Sequence, residues 1–275
     1  MATAEFLTIL LLAFVMEIID SGLGMGFGTV LSPLLIAFGY APTLVVPSIL
    51  FSQAIGGFTA SIFHHRCGNA DFKPKVNGVS DLKQKIRENG ITHSYRTILS
   101  RDSKVMFSIT ALGVSATITG ALVAIKIPVD MLKAYIGILV LIVGALMLTR
   151  LNFSFSWAKM MGLSLLASFN KGISGGGFGP LVTGGQIIAG NESKSSIGCT
   201  TLSEAPICIV GFIVYLLGKG MSTYDILIPL TIGAFLAGFI GPKVTKQFDG
   251  RRIRNIIGVL MMFEGAYTLA GLVMK

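Results

Sequence analysis

Long apolar runs separated by short polar segments dominate this chain. Uninterrupted runs cover roughly 43–64, 105–125, 129–149, 195–218, 226–241 and 255–274, with almost no charge inside them. An α-helix needs about twenty such residues to cross ~30 Å of hydrocarbon. Lipid offers the backbone no hydrogen-bond partners, so each segment must satisfy its own as a helix. The pattern predicts an all-α polytopic membrane protein. Two further stretches, 5–39 and 157–190, are too long for one crossing, and polar and glycine residues interrupt both near the middle.

Composition agrees with lipid as the solvent: 52% of the 275 residues are hydrophobic and only 13% charged, about half the usual charged share of a soluble domain. The first run begins at Phe6 with no basic region before it. It reads as part of the mature fold rather than as a cleaved signal. The formal charge of +9 sits in the loops, which suits basic cytoplasmic loops and not nucleic-acid binding. Cys199 and Cys208 are nine residues apart on one helix and face opposite ways, so they cannot bridge; with Cys67 they read as packing residues.

Charge also decides how the two long stretches cross. If each crossed once, the basic segments 66–104 and 241–254 would lie on opposite faces, against the positive-inside rule. If each enters and returns as a hairpin that turns at its glycine run, 17 of the 22 Lys and Arg residues share one face. That arrangement predicts a multi-pass protein of the cell (inner) membrane, with both termini outside and loop 66–104 cytoplasmic. Each half then holds a hairpin and three helices, an odd number of passes, so the second half enters inverted. The expected units are 1–150 (hairpin 5–39, helices 43–64, 105–125 and 129–149) and 151–275 (hairpin 157–190, helices 195–218, 226–241 and 255–274). Such inverted repeats built on broken helices are a transporter architecture.

The duplication is visible in the residues. At an offset of 150, Gly22 aligns with Gly172 and Gly26 with Gly176, and Asp20-Ser21 face Asn170-Lys171. At 151, Phe27-Gly28 match Phe178-Gly179, and Ser52-Gln53 match Ser203-Glu204. The runs DSGLGMGFGTVLSP (20–33), SQAIGG (52–57), HHRCGNADF (64–72) and KGISGGGFGP (171–180) resemble the sulfite exporter TauE/SafE family, also called the toluene sulfonate uptake permease (TSUP) family. The resemblance spans both halves. It departs from the family pattern at Met25 and Phe27 and in the polar loop 76–103. It implies a secondary transporter of sulfite, organosulfonates or small organic anions.

Irregular backbone at membrane depth belongs where it is buried or lines a cavity. Helices restarting near Thr29 and Gly179 offer free N–H groups and a positive dipole end to an anion. The candidate substrate-binding residues are therefore Ser21, Gly22, Gly24, Gly26 and Gly28 in the first turn, and Lys171, Gly172, Ser174, Gly175, Gly176 and Gly177 in the second. Glycines that merely allow helices to approach are the competing reading. Lys171 is either the counter-charge to the anion or a structural partner of Asp20 or Glu17. Ser52 and Gln53, with Ser48 a turn earlier, and Thr200 and Ser203 could complete the site or only join helices.

Glu17, Asp20, Glu204 and Glu264 lie in apolar runs, where a charge costs on the order of 3 kcal/mol by insertion scales. They are candidates for proton coupling, with helix-register bonding the alternative, favoured for Glu264. His64 and His65 read as interfacial anchors beside Arg66. They and Cys67 are too few for a metal site, and neither a metal nor a cofactor is expected. Segment 80–88, with Leu82 and Ile86 one turn apart, predicts a short amphipathic surface helix.

Gly172-Ile173-Ser174-Gly175 matches the GxSG of intramembrane serine proteases. All three histidines precede Ser174, and His64 only ends a predicted span. The mechanism needs a histidine base on a later helix, so the enzyme is rejected. What remains is a transporter of a small anion, by alternating access with proton coupling, or a passive anion channel using the same glycine-lined site.

Overall fold

A computed structural model describes residues 3–74, 76, 78–149, 156–221, 223–247 and 250–273. It is all-helical among those residues. Helices α1 (Thr3–Leu23) and α2 (Phe27–Ala37) are followed by α3 (Pro42–Arg66), α4 (Val79–Ile98), α5 (Arg101–Ala124) and α6 (Val129–Leu148). The rest of the chain forms α7 (Trp157–Ser174), α8 (Phe178–Ile188), α9 (Ser193–Lys219), α10 (Leu227–Ala237), α11 (Gly241–Gln247) and α12 (Gly250–Val273). Among the described residues, α1, α3, α5 and α9 are long and apolar enough to cross a membrane.

Both overlong stretches break at glycines with left-handed backbone, a conformation that only a residue without Cβ adopts cheaply. Gly24 (φ 83°) and Gly26 (φ 135°) separate α1 from α2, and Gly175 (φ 74°) and Gly177 (φ 79°) separate α7 from α8. After the first break the chain doubles back. A Cβ on Gly26 would lie 3.2 Å from Ile19, so α2 begins beside α1 about one turn before its end. It returns to the end at which α1 started, where the Tyr40 hydroxyl donates to the Glu5 carboxylate.

In the second hairpin α7 runs alongside α5, with Thr117 Oγ1 donating to the Ser168 carbonyl at 2.8 Å. Tyr215 on α9 donates to the Gly172 carbonyl at 2.9 Å. After α8, Asn191 returns to the start of α5, where Arg101 donates to its side chain at 2.7 Å.

Two predicted elements differ in extent. The run 226–241 gives only α10, eleven residues, about 16 Å and half a hydrocarbon core. Gly238 ends it where a Cβ would press on Thr59 and the Gly56 carbonyl of α3. The basic segment 241–254 is not a plain loop: α11 and the start of α12 lie within it. Packing holds α11, because Thr245 Oγ1 on it donates to the Gly22 carbonyl. Segment 80–88 lies in α4, which is broken by Gly90 at φ 73°. Ile86 there is exposed, and the Leu82 side chain falls outside the described ones.

Candidate substrate and coupling site

The two glycine turns meet backbone to backbone. A Cβ on Gly28 would overlap the Gly175 carbonyl oxygen, and one on Gly179 would overlap that of Gly24. Hydroxyls tie the tips across the same seam. Ser32 Oγ donates to the Ser174 carbonyl at 2.8 Å, and Thr183 Oγ1 donates to the Gly24 carbonyl at 3.2 Å. Gly177 N–H donates to Thr29 Oγ1 at 3.2 Å. α2 and α8 start at Phe27 and Phe178, within two residues of the predicted restarts.

Beside this seam runs a buried polar chain contributed by four helices. Asp20, in the last turn of α1, accepts from Phe27 N–H at 3.2 Å and from Gln53 Nε2 of α3 at 2.8 Å. The other end of the Gln53 amide accepts from the Lys171 ammonium of α7. Lys171 Nζ lies 2.7 Å from Glu204 Oε1 of α9. Lys171 is 1% exposed and Glu204 4%, so this ion pair is out of water. The ammonium also reaches the first turn of α2, 3.1 Å from where a Gly28 Cβ would stand. The partner of Lys171 is thus Glu204, not Asp20 or Glu17. Glu17 is buried against Gly56 of α3, and neither carboxylate oxygen has a hydrogen-bond partner among the described residues.

The other predicted site residues lie around this chain in packing roles. Ser21 Oγ donates to the Glu17 carbonyl, and Ser52 Oγ to that of Ser48, with Thr231 Oγ1 3.0 Å away. Ser203 donates to the Cys199 carbonyl, and Gly172 is pressed against the Thr117 carbonyl of α5. Thr200 accepts from Gln186 Nε2 at 2.9 Å. Ser174 Oγ donates to the Asn170 carbonyl and accepts from Gly176 N–H; no histidine is among its bonded partners in the described residues. The Glu264 side chain lies outside the described ones.

His64 is not an interfacial anchor. It is 0% exposed, with Nε2 2.8 Å from the Ser21 carbonyl and Nδ1 3.1 Å from the Asn69 amide, which also donates to the Pro242 carbonyl. It pins the end of α3 to the turn of α1. His64→Ala is expected to lower stability by about 1–3 kcal/mol, because it takes from the buried Ser21 carbonyl its closer partner and leaves only Thr245 Oγ1 at 3.4 Å; thermal unfolding in detergent would measure it.

A cavity of about 700 Å³ lies away from the tips, at the face where α5 and α9 begin. Its lining balances Arg66, Lys73 and Arg101 with Asp71, Asp102 and Glu192. It reaches inward to Gln186, the partner of Thr200, one turn before Glu204.

A sequence model described as sulfite exporter TauE/SafE matches residues 90–268. The chain belongs to this family. It is also 22% identical over 269 residues to a protein of Bacillus subtilis (strain 168) named "Probable membrane transporter protein YtnM", over 92% of this chain and 79% of that protein. No solved structure matches. As a TauE/SafE protein the chain is a membrane transporter of the sulfite exporter type, and this family is not an enzyme class.

Proposed function

We propose that this TauE/SafE protein is a secondary active transporter of a small anion of the sulfite or organosulfonate class, working by alternating access with proton coupling. The observation that carries the reading is the buried Lys171–Glu204 pair beside the hairpin tips. A cation in the membrane interior is expensive and marks a substrate path. In this conformation its charge is answered by a carboxylate. An anion that takes Lys171 leaves Glu204 ionised and unpaired, which a low-dielectric interior penalises heavily. A proton on Glu204 removes that penalty, so anion and proton bind together.

The contacts support two inverted units, 1–150 and 151–275. Ser32 and Thr183 are 151 positions apart, and their acceptors Ser174 and Gly24 are 150 apart, so the two cross-ties are reciprocal. The overlaps of Gly28 with Gly175 and of Gly179 with Gly24 exchange in the same way. Two hairpins related by such a pseudo-two-fold can rock apart toward either face. Positive-inside counting supports a cell (inner) membrane location with both termini outside and loop 66–104 cytoplasmic. The cavity around Arg101 and Gln186 would then be the cytoplasmic approach.

A passive anion channel is the competing reading. Sulfite flux into proteoliposomes decides between them: accumulation above the external concentration under an imposed pH gradient is expected. Downhill equilibration alone, indifferent to that gradient, would refute coupled transport.

A further inference from the structure

The two helix starts at the tips are unequal. At α2 the backbone N–H of Phe27 is taken by the Asp20 carboxylate, so the positive end of that helix already faces a negative charge. At α8 the N-cap is Gly177, which brings no side-chain cap, and among the described residues no carboxylate takes an N–H there. The position aligned with Asp20 is Asn170, a neutral amide. It is 1% exposed, and neither its Oδ1 nor its Nδ2 has a hydrogen-bond partner among the described residues. The amide lies against the helix start: a Cβ on Gly177 would be 3.6 Å from Asn170 Cβ and 3.8 Å from Nδ2.

Buried amides are ordinarily satisfied, and an orphaned one calls for a missing partner. A helix start with free N–H groups calls for the same kind of partner, an acceptor carrying negative charge. The Gly177 N–H is engaged by Thr29, and Pro180 has no N–H, which leaves, among the described residues, the donors of Phe178 and Gly179, the two that follow the Gly177 against which Asn170 lies.

We infer that the anion's oxygens are received at the start of α8 by the Asn170 amide and the N–H groups of Phe178 and Gly179, and that the start of α2 is not an equivalent subsite. This rests on the anion-transport reading above and sharpens it. The ligand class is a tetrahedral or pyramidal oxyanion, sulfonate or sulfite, whose several oxygens can accept from all three donors at once. Lys171, next in sequence to Asn170, supplies charge, and Asn170 supplies orientation. The exchange of Asp for Asn between the halves is what makes an inverted pair of turns hold one anion rather than two.

The test uses the full chain in lipid nanodiscs, titrated calorimetrically with methanesulfonate and with sulfite. Asn170→Asp reproduces the capping arrangement of the other half, so it is expected to keep the wild-type melting temperature or raise it while losing at least thirtyfold in affinity for both anions. Asn170→Ala removes the donor without adding charge, and a five- to tenfold loss is expected. Wild-type affinity in a folded Asn170→Ala or Asn170→Asp protein overturns the inference and leaves the transporter reading standing. If neither anion binds the wild-type protein, the anion reading of the site falls and this inference falls with it.

Discussion

Gly28→Ala is expected to abolish stable folding, not merely to slow transport. The added methyl would overlap the carbonyl oxygen of Gly175, a main-chain atom that no rotamer change can move. Overpacking against side chains typically costs about 1–3 kcal/mol. Here relief requires the two hairpins to separate, which also breaks the Ser32–Ser174, Thr183–Gly24 and Gly177–Thr29 bonds along the seam. A monodisperse peak in detergent should shrink or disappear. Gly179→Ala should behave alike, because it meets the Gly24 carbonyl in the reciprocal contact. Gly162→Ala is the control: nothing lies within 4 Å of its added Cβ, and alanine favours the helix. A Gly28→Ala protein that folds and melts like the control would show that the tips do not pack as described.

Much of this site could be read from the chain because membrane interiors make polar residues conspicuous. Lys171, Asp20, Gln53 and Glu204 stand out in apolar runs, and they form one continuous polar chain. Their partners could not be assigned from spacing, because they come from four helices separated by long stretches of sequence. Thr29, Ser32 and Thr183 were invisible as seam residues. A hydroxyl in an apolar helix ordinarily bonds its own preceding turn, as Ser48, Thr59 and Ser61 do here. Asn170 registered only as the counterpart of Asp20, since nothing in the sequence shows that its amide is left without a partner on folding.

His64 misled for a different reason. Its neighbour Arg66 marks the end of a span, but a helix end can be buried when another element caps it, and the turn of α1 does so. The segment 241–254 misled because its charges suggested a solvated loop, whereas Gly22 of α1 and Gly241 of α11 let the two helices pack closely. The sulfite-exporter motifs carried the family reading; the match over 90–268 begins within the polar loop 76–103 and runs through the second half, where it includes the motif at 171–180.

The second large effect is expected at Lys171, read through a double-mutant cycle. Lys171→Met leaves the Glu204 carboxylate buried without its cation, and breaking a buried pair from one side costs about 3–5 kcal/mol. A fall in melting temperature and the loss of anion binding are therefore both expected, and alone they cannot separate a structural lysine from a substrate-binding one. Adding Glu204→Gln does. The double variant removes both charges of this pair, and a neutral, similarly shaped replacement of a buried ion pair is close to neutral for stability. Its melting temperature should recover most of the loss. Its affinity for methanesulfonate should not, remaining at least about thirtyfold below wild type, because truncating one side of a buried charge contact costs about 2–5 kcal/mol in binding. If stability and binding recover together, Lys171 is only a strut between α7 and α9. If stability alone recovers, its charge belongs to the anion, and Glu204 is the residue that holds the charge when the anion is absent.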